Sequence, residues 1–363
     1  MPTADPGLRL ALLREEKALK YLAASAPIAL IAALIAGLVG MAVLPLGGCE
    51  REPPEPAGAG AAERARDHFS FANTDQFRMR HLELDLSADF ERQVLEGTAI
   101  LHLQGTDAAG ETVVLDSRGL QIERARVAPP GGQPVDLEVR PGTSDPVRGQ
   151  ALEIRLPAGF DPRAEFALQL DYRTGPDASA IMWLPPELTA GGKQPFMFTQ
   201  SQSIHARSWV PLQDSPMVRF TYEATIRTPS GLRALMSADN DPQAPNDGVF
   251  RFRMPQPIPS YLLALAVGNL EFASFGEDSG VYAEPEVLPA AAREFADTQA
   301  MLDAAEAIWG PYRWGRYDLL ILPPSFPYGG MEKPRLSFIT PSLLAGDRSL
   351  VSTIAHELAH SWS

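Results

Sequence analysis

The chain has 363 residues, 45% of them hydrophobic, and a formal net charge of −14. That length fills two domains of ordinary size with real cores, while the acidic balance excludes the basic footprint that phosphate-backbone binding requires, so nucleic acid is not an expected partner. Cys49 is the single cysteine, which excludes an intramolecular disulfide.

Residues 1–49 read as a targeting device. Arg9, Arg14, Lys17 and Lys20 precede an uncharged, mostly apolar run over 21–48, which ends in Leu46-Gly47-Gly48-Cys49. A basic start, an apolar stretch and small residues before a cleavage point mark a secretory signal. The last four residues look like a bacterial lipobox, with Cys49 as the lipidation site. The run is also long enough to span a bilayer, and Glu15 and Glu16 dilute the basic region. An uncleaved transmembrane anchor and a misassigned start therefore stand beside the lipoprotein reading. Either anchor places the body of the protein outside the cytoplasm and at a membrane. Residues 50–66 are rich in Pro, Ala, Gly and charge and have nothing to bury, so they read as a tether.

Residues 67–272 carry a β pattern. Leu82, Leu84 and Leu86 alternate with polar neighbours, as do Ala99, Leu101 and Leu103, then Leu152, Ile154 and Leu156. The same period recurs at Phe166, Leu168, Leu170 and Tyr172, and at Phe220, Tyr222, Ala224 and Ile226. Alternation of this kind, broken by turns such as Pro129-Pro130-Gly131-Gly132, predicts half-buried antiparallel strands in a large sandwich or saddle-shaped sheet domain.

From residue 273 the character changes to mixed α and β. The stretch 290–309 places Phe295, Leu302, Ala305 and Trp309 at helical spacing. Short apolar runs at 317–322 and 336–340 predict strands on either side of Tyr328-Gly329-Gly330-Met331-Glu332, and a last helix is expected to open near Asp347. That helix contains His356-Glu357-Leu358-Ala359-His360. At 100° per residue its two histidines project within about 40° of each other, a turn apart, which lets both reach one Zn²⁺. Leu350, Ile354 and Leu358 form a separate apolar stripe. Glu357 lies where a carboxylate can accept a proton from an activated water and deliver it to a leaving amine. The competing reading of the motif alone is an exposed amphipathic helix that happens to carry two histidines.

The surroundings of the motif resemble a known family. Phe326-Pro327-Tyr328-Gly329-Gly330-Met331-Glu332-Lys333-Pro334, then Leu336-Ser337-Phe338-Ile339-Thr340-Pro341, then Ile354-Ala355-His356-Glu357-Leu358-Ala359-His360-Ser361-Trp362 are similar to the M1-type zinc aminopeptidases, or gluzincins, most closely those of the leukotriene A-4 hydrolase kind. Phe198-Thr199-Gln200-Ser201-Gln202-Ser203-Ile204-His205-Ala206-Arg207 and the run from Pro259 to Gly268 extend the resemblance upstream, over roughly residues 77–363. It implies a multidomain chain: an all-β, saddle-like N-terminal domain followed by a thermolysin-like α/β catalytic domain over 273–363.

The resemblance also assigns roles. His356 and His360 become two of three zinc ligands and Glu357 the general base. Glu332 would hold the free α-amine of a peptide substrate, and Gly329 and Gly330, which lack side chains, would let their backbone approach and hydrogen-bond an extended peptide, with Met331 also in the substrate-binding segment. Gln200 and Gln202, read as alternating on one strand face, would contact the N-terminal residue. Bland readings remain for each: a tight turn for the glycines, a surface carboxylate for Glu332, solvated polar groups for the glutamines. Lys333 departs from the family, which usually has asparagine there, and a cation beside Glu332 is expected to weaken its hold on an ammonium. The resemblance places the third ligand, a glutamate, on a following helix past Ser363, which reads as a truncated catalytic domain, a fragment or a broken gene, inactive by itself. Removal of the N-terminal residue from peptides is the expected reaction. Hydrolysis of a lipid epoxide and a non-catalytic extracytoplasmic binding module are the alternatives.

Overall fold

The computed structural model describes residues 67–128 and 132–362. Cys49, the expected anchor and the tether lie outside these residues. Among the described residues no helix is long and apolar enough to cross a membrane.

Seven strands form the largest sheet, in the spatial order Val249–Pro259, Arg219–Arg227, Phe77–Asp89, Val94–Gly105, Phe166–Arg173, Gln121–Ala128, Val135–Leu137. Neighbours run antiparallel except Phe77–Asp89 and Arg219–Arg227, which pair parallel. The register explains the alternation in the sequence. Leu82 faces Leu101 on one side and Tyr222 on the other, Leu101 faces Leu168, and Leu84 faces Ala99 and Ala224. Each of these side chains is buried, so one face of the sheet is a continuous ladder of apolar cross-strand pairs. A three-stranded sheet of Thr112–Ser117, Gly149–Arg155 and Val139–Asp145 and a four-stranded sheet of Arg233–Met236, Leu265–Gly268, Phe196–Thr199 and Ile181–Leu184 complete this β-rich domain.

The catalytic part is built on a five-stranded sheet ordered Glu271–Ser274, Ser279–Ala283, Tyr317–Ile321, Leu336–Ile339, Gly330–Met331. Its central strands are buried at every position, polar Ser279, Asp318 and Ser337 included, because both faces are covered. Val281, Leu319, Ile321 and Ile339 pack under the helices, whereas Tyr282, Leu320 and Phe338 join the core of the β domain. Period two thus divides one strand between two cores.

The helical stretch 290–309 breaks into α1 (Leu288–Glu294) and α2 (Thr298–Trp309). Thr298 turns its hydroxyl and its N–H back onto the carbonyl of Phe295, which favours a turn between them. Phe295, Leu302 and Ala305 are buried as their spacing implies, but Trp309 is 54% exposed at the end of α2. The last helix, α3 (Ser352–Ala359), begins five residues after Asp347 rather than at it. Ile354 and Leu358 anchor it in the core, while Leu350 precedes the first turn and is 40% exposed, so it is not part of the apolar stripe. Indole N–H groups fasten the far end: Trp314 donates to the Ser361 carbonyl at 3.1 Å and Trp362 to that of Gly310 at 3.0 Å.

Candidate metal centre

The sequence places His356 and His360 one turn apart, and the fold leaves both on the open side of α3. Their Nε2 atoms lie 3.2 Å apart, with the rings perpendicular and their centroids 4.8 Å apart. Two imidazole nitrogens on one tetrahedral zinc, each at about 2.0–2.1 Å, are separated by about 3.3 Å, so the observed spacing fits a shared ion. The same spacing serves an N–H···N hydrogen bond between the rings. Glu332, Glu357 and His360 each bring a ligand-capable atom within 4.8 Å of the others. Two nitrogens with carboxylates close by is a donor set that zinc accepts.

Glu357 faces inward from the same helix and is only 6% exposed. Burial pushes its carboxyl up to about 7; His356 opposes that rise, Glu332 adds to it, and Lys333 opposes it again. A carboxyl whose proton affinity lies near neutrality is suited to take and return a proton. Room for this side chain comes from a glycine. A Cβ at Gly330 would come 2.5 Å from both Cγ and Cδ of Glu357, whereas one at Gly329 would meet nothing closer than 3.8 Å. A side chain at position 330 would therefore force Glu357 to move, whereas one at position 329 would not.

Gly330–Met331 is the outermost strand of the catalytic sheet, paired with Leu336–Ile339 on one side. Met331 is buried, and Glu332 follows it half-buried. Tyr328 stands at the rim, 48% exposed, with its ring 5.7 Å from that of Phe326.

The glutamines part company. The strand Phe196–Thr199 ends before either of them, so the alternation on one strand face does not occur. Gln200 is half-buried and reaches the site, donating from Nε2 to the Met331 sulfur at 3.3 Å. Gln202 is exposed. Downstream, Arg207 is fully buried, with Nε 2.9 Å from Asp214 and its guanidinium 3.5 Å from Asp116. It also donates to the carbonyls of Phe69, Arg148 and Asp214. This part of the motif is scaffold: it ties the three-stranded sheet to the loop that carries Gln200.

Two features escape the sequence reading. The first is the contact of Gly330 with Glu357. The second is the position of Lys333, which is 1% exposed and gives a hydrogen bond of 3.0 Å to Gln200 Oε1, 133 positions away. A lysine between Glu332 and Pro334 offers no signal of burial, and nothing in local pattern pairs it with residue 200.

The Peptidase M1 N-terminal domain matches residues 78–262 and the Peptidase family M1 domain matches residues 294–363. The chain belongs to the M1 peptidase family, whose members are zinc-dependent. Within it the chain is close to leukotriene A-4 hydrolase and aminopeptidase B. It is 43% identical to leukotriene A-4 hydrolase of Xenopus laevis over 82% of this chain and 49% of that protein. It is 42% identical to human aminopeptidase B over 84% of this chain and 50% of that protein. The native leukotriene A4 hydrolase structure from Saccharomyces cerevisiae superposes with a TM-score of 0.76 at 34% identity, covering 85% of this chain and 47% of that one. The chain spans about half the length of the curated relatives it matches.

Proposed function

We propose that the protein is a zinc aminopeptidase that hydrolyses the N-terminal residue from peptides. The observation that carries this reading is the 3.2 Å approach of His356 to His360, with Glu357 and Glu332 gathered around His360 beside the edge strand Gly330–Met331. His356 and His360 would hold the ion, with the third protein ligand of a catalytic site still to be supplied. When bound, zinc supplies a Lewis acid that polarises the scissile carbonyl and lowers the pKa of water.

The remaining work falls to the chain's own side chains. Glu357 takes a proton from the attacking water and returns it to the leaving amine. Glu332 pairs with the substrate's α-ammonium, and its fixed distance from Glu357 restricts cleavage to the first peptide bond. The unpaired side of Gly330–Met331 lets an extended peptide add as a further strand. Lipid epoxide hydrolysis has the name of a similar relative behind it, but no feature among the described residues favours it. Zinc removal tests the reading. In a form that carries the third ligand, chelation should abolish release of N-terminal residues and added Zn²⁺ should restore it, whereas turnover that survives complete loss of metal would refute it.

Placement at a membrane through Cys49 is a separate proposal that rests on the lipobox-like Leu46-Gly47-Gly48-Cys49 alone. Cys49→Ala should move the protein from the membrane fraction to the soluble one, because a lipid contributes most of such an attachment. Retention of the variant in membranes at unchanged mass would favour an uncleaved apolar span.

A further inference from the structure

We propose that Lys333 is a positioning residue that sets which N-terminal side chains the site accepts, by fixing the amide of Gln200 in one orientation. This rests on the aminopeptidase reading above.

A lysine ammonium carries three donors and no acceptor. The protonated form therefore selects the oxygen of Gln200, the atom that faces Lys333 Nζ at 3.0 Å. An ammonium at that distance favours the amide oxygen over its NH₂ group, which could only oppose donor to donor. With Oε1 committed to Lys333, Nε2 is left on the other side, where it lies 3.3 Å from the sulfur of Met331. Met331 belongs to the edge strand and directly precedes Glu332, the carboxylate proposed to take the substrate's α-amine. Gln200 therefore presents a donor to that side of the site, and a positive charge stands immediately behind it.

The lock is internal to the protein. Lys333 is fully enclosed, and among the described residues no carboxylate comes within ion-pairing distance of it. Its ammonium lies 4.2 Å from the centre of the Phe338 ring, whose face partly replaces the lost hydration. Burial lowers its proton affinity to a pKa of about 7, with Glu332 and Glu357 opposing that drop. Gln200 comes from the β domain and Lys333 from the turn between the strands Gly330–Met331 and Leu336–Ile339, so the bonds of Gln200 to Lys333 and to Met331 join the two walls of the site.

The chemistry of the occupant follows. A side chain with an oxygen acceptor, as in N-terminal Glu or Gln, satisfies the Gln200 donor and gains from the charge behind it. An N-terminal Arg or Lys brings a like charge and only donors, and is rejected through both. An apolar side chain falls between these.

The experiment compares kcat/KM for Glu-, Gln-, Leu- and Arg-arylamides in the protein and in Lys333→Met, Lys333→Arg and Gln200→Leu. The expected result is a Glu-over-Arg preference that falls by at least about tenfold in Lys333→Met and is largely retained in Lys333→Arg. A purely structural role would lower all four substrates together. An unchanged Glu-to-Arg ratio in Lys333→Met overturns the proposal while leaving the aminopeptidase reading intact. Failure of the unaltered, zinc-loaded protein to cleave any of the four, assayed in a form that carries the third zinc ligand, overturns that reading, and this proposal with it. A second measurement is independent of turnover. In denaturant unfolding, Lys333→Met and Gln200→Leu should be non-additive when combined, and strict additivity would show that Lys333 does not hold Gln200.

Discussion

Glu357→Gln is expected to lower peptide turnover by at least about 10²-fold while the protein keeps its zinc. The substitution preserves the size of the side chain, so the contact with the strand at Gly330 and the course of α3 should be kept. It removes only the ability to accept a proton. The two histidines lie on the open side of the helix and do not rely on the carboxylate to orient toward each other. Metal analysis and steady-state kinetics on the same preparation separate the two effects. Near-normal turnover in a zinc-replete variant would remove Glu357 from the mechanism.

N-acetylation of the substrate is expected to abolish cleavage altogether. Glu332 lies half-buried next to Glu357 and His360, and no cation forms a salt bridge with it among the described residues. A carboxylate so placed recognises an ammonium by charge and hydrogen bonding together, and acetylation removes both the charge and the donors. Glu332→Gln should reproduce the loss on free-amine substrates. Comparable cleavage of free and acetylated peptides would instead indicate an endopeptidase, in which the first bond has no special standing.

Much of this was legible in the residues, for identifiable reasons. The β domain declared itself through period two because its main sheet has one apolar face, so Leu82, Leu84 and Leu86 all point the same way. The His356-Glu357-Leu358-Ala359-His360 spacing is a property of helix geometry and needs no tertiary information. The failures share a different cause. Trp309 and Leu350 continue a helical spacing past the ends of the buried helix faces, where periodicity carries no information on what covers them. Gln200 and Gln202 were read as one strand face because the strand's end at Thr199 is fixed by pairing with Ile181, far away in the chain. Sequence places Lys333 beside Glu332, but does not show that its ammonium reaches Gln200 and the ring of Phe338. Local chemistry is written in local sequence; partners brought by topology are not.

The central claim is that His356 and His360 form a zinc site beside Glu357 and Glu332. Anomalous diffraction at the zinc absorption edge, from crystals of the protein grown with Zn²⁺, tests it most directly. The account predicts one strong peak about 2.0–2.1 Å from Nε2 of both histidines, lost in crystals of His356→Ala. A peak elsewhere, or none while the two rings remain hydrogen-bonded to each other, would contradict it.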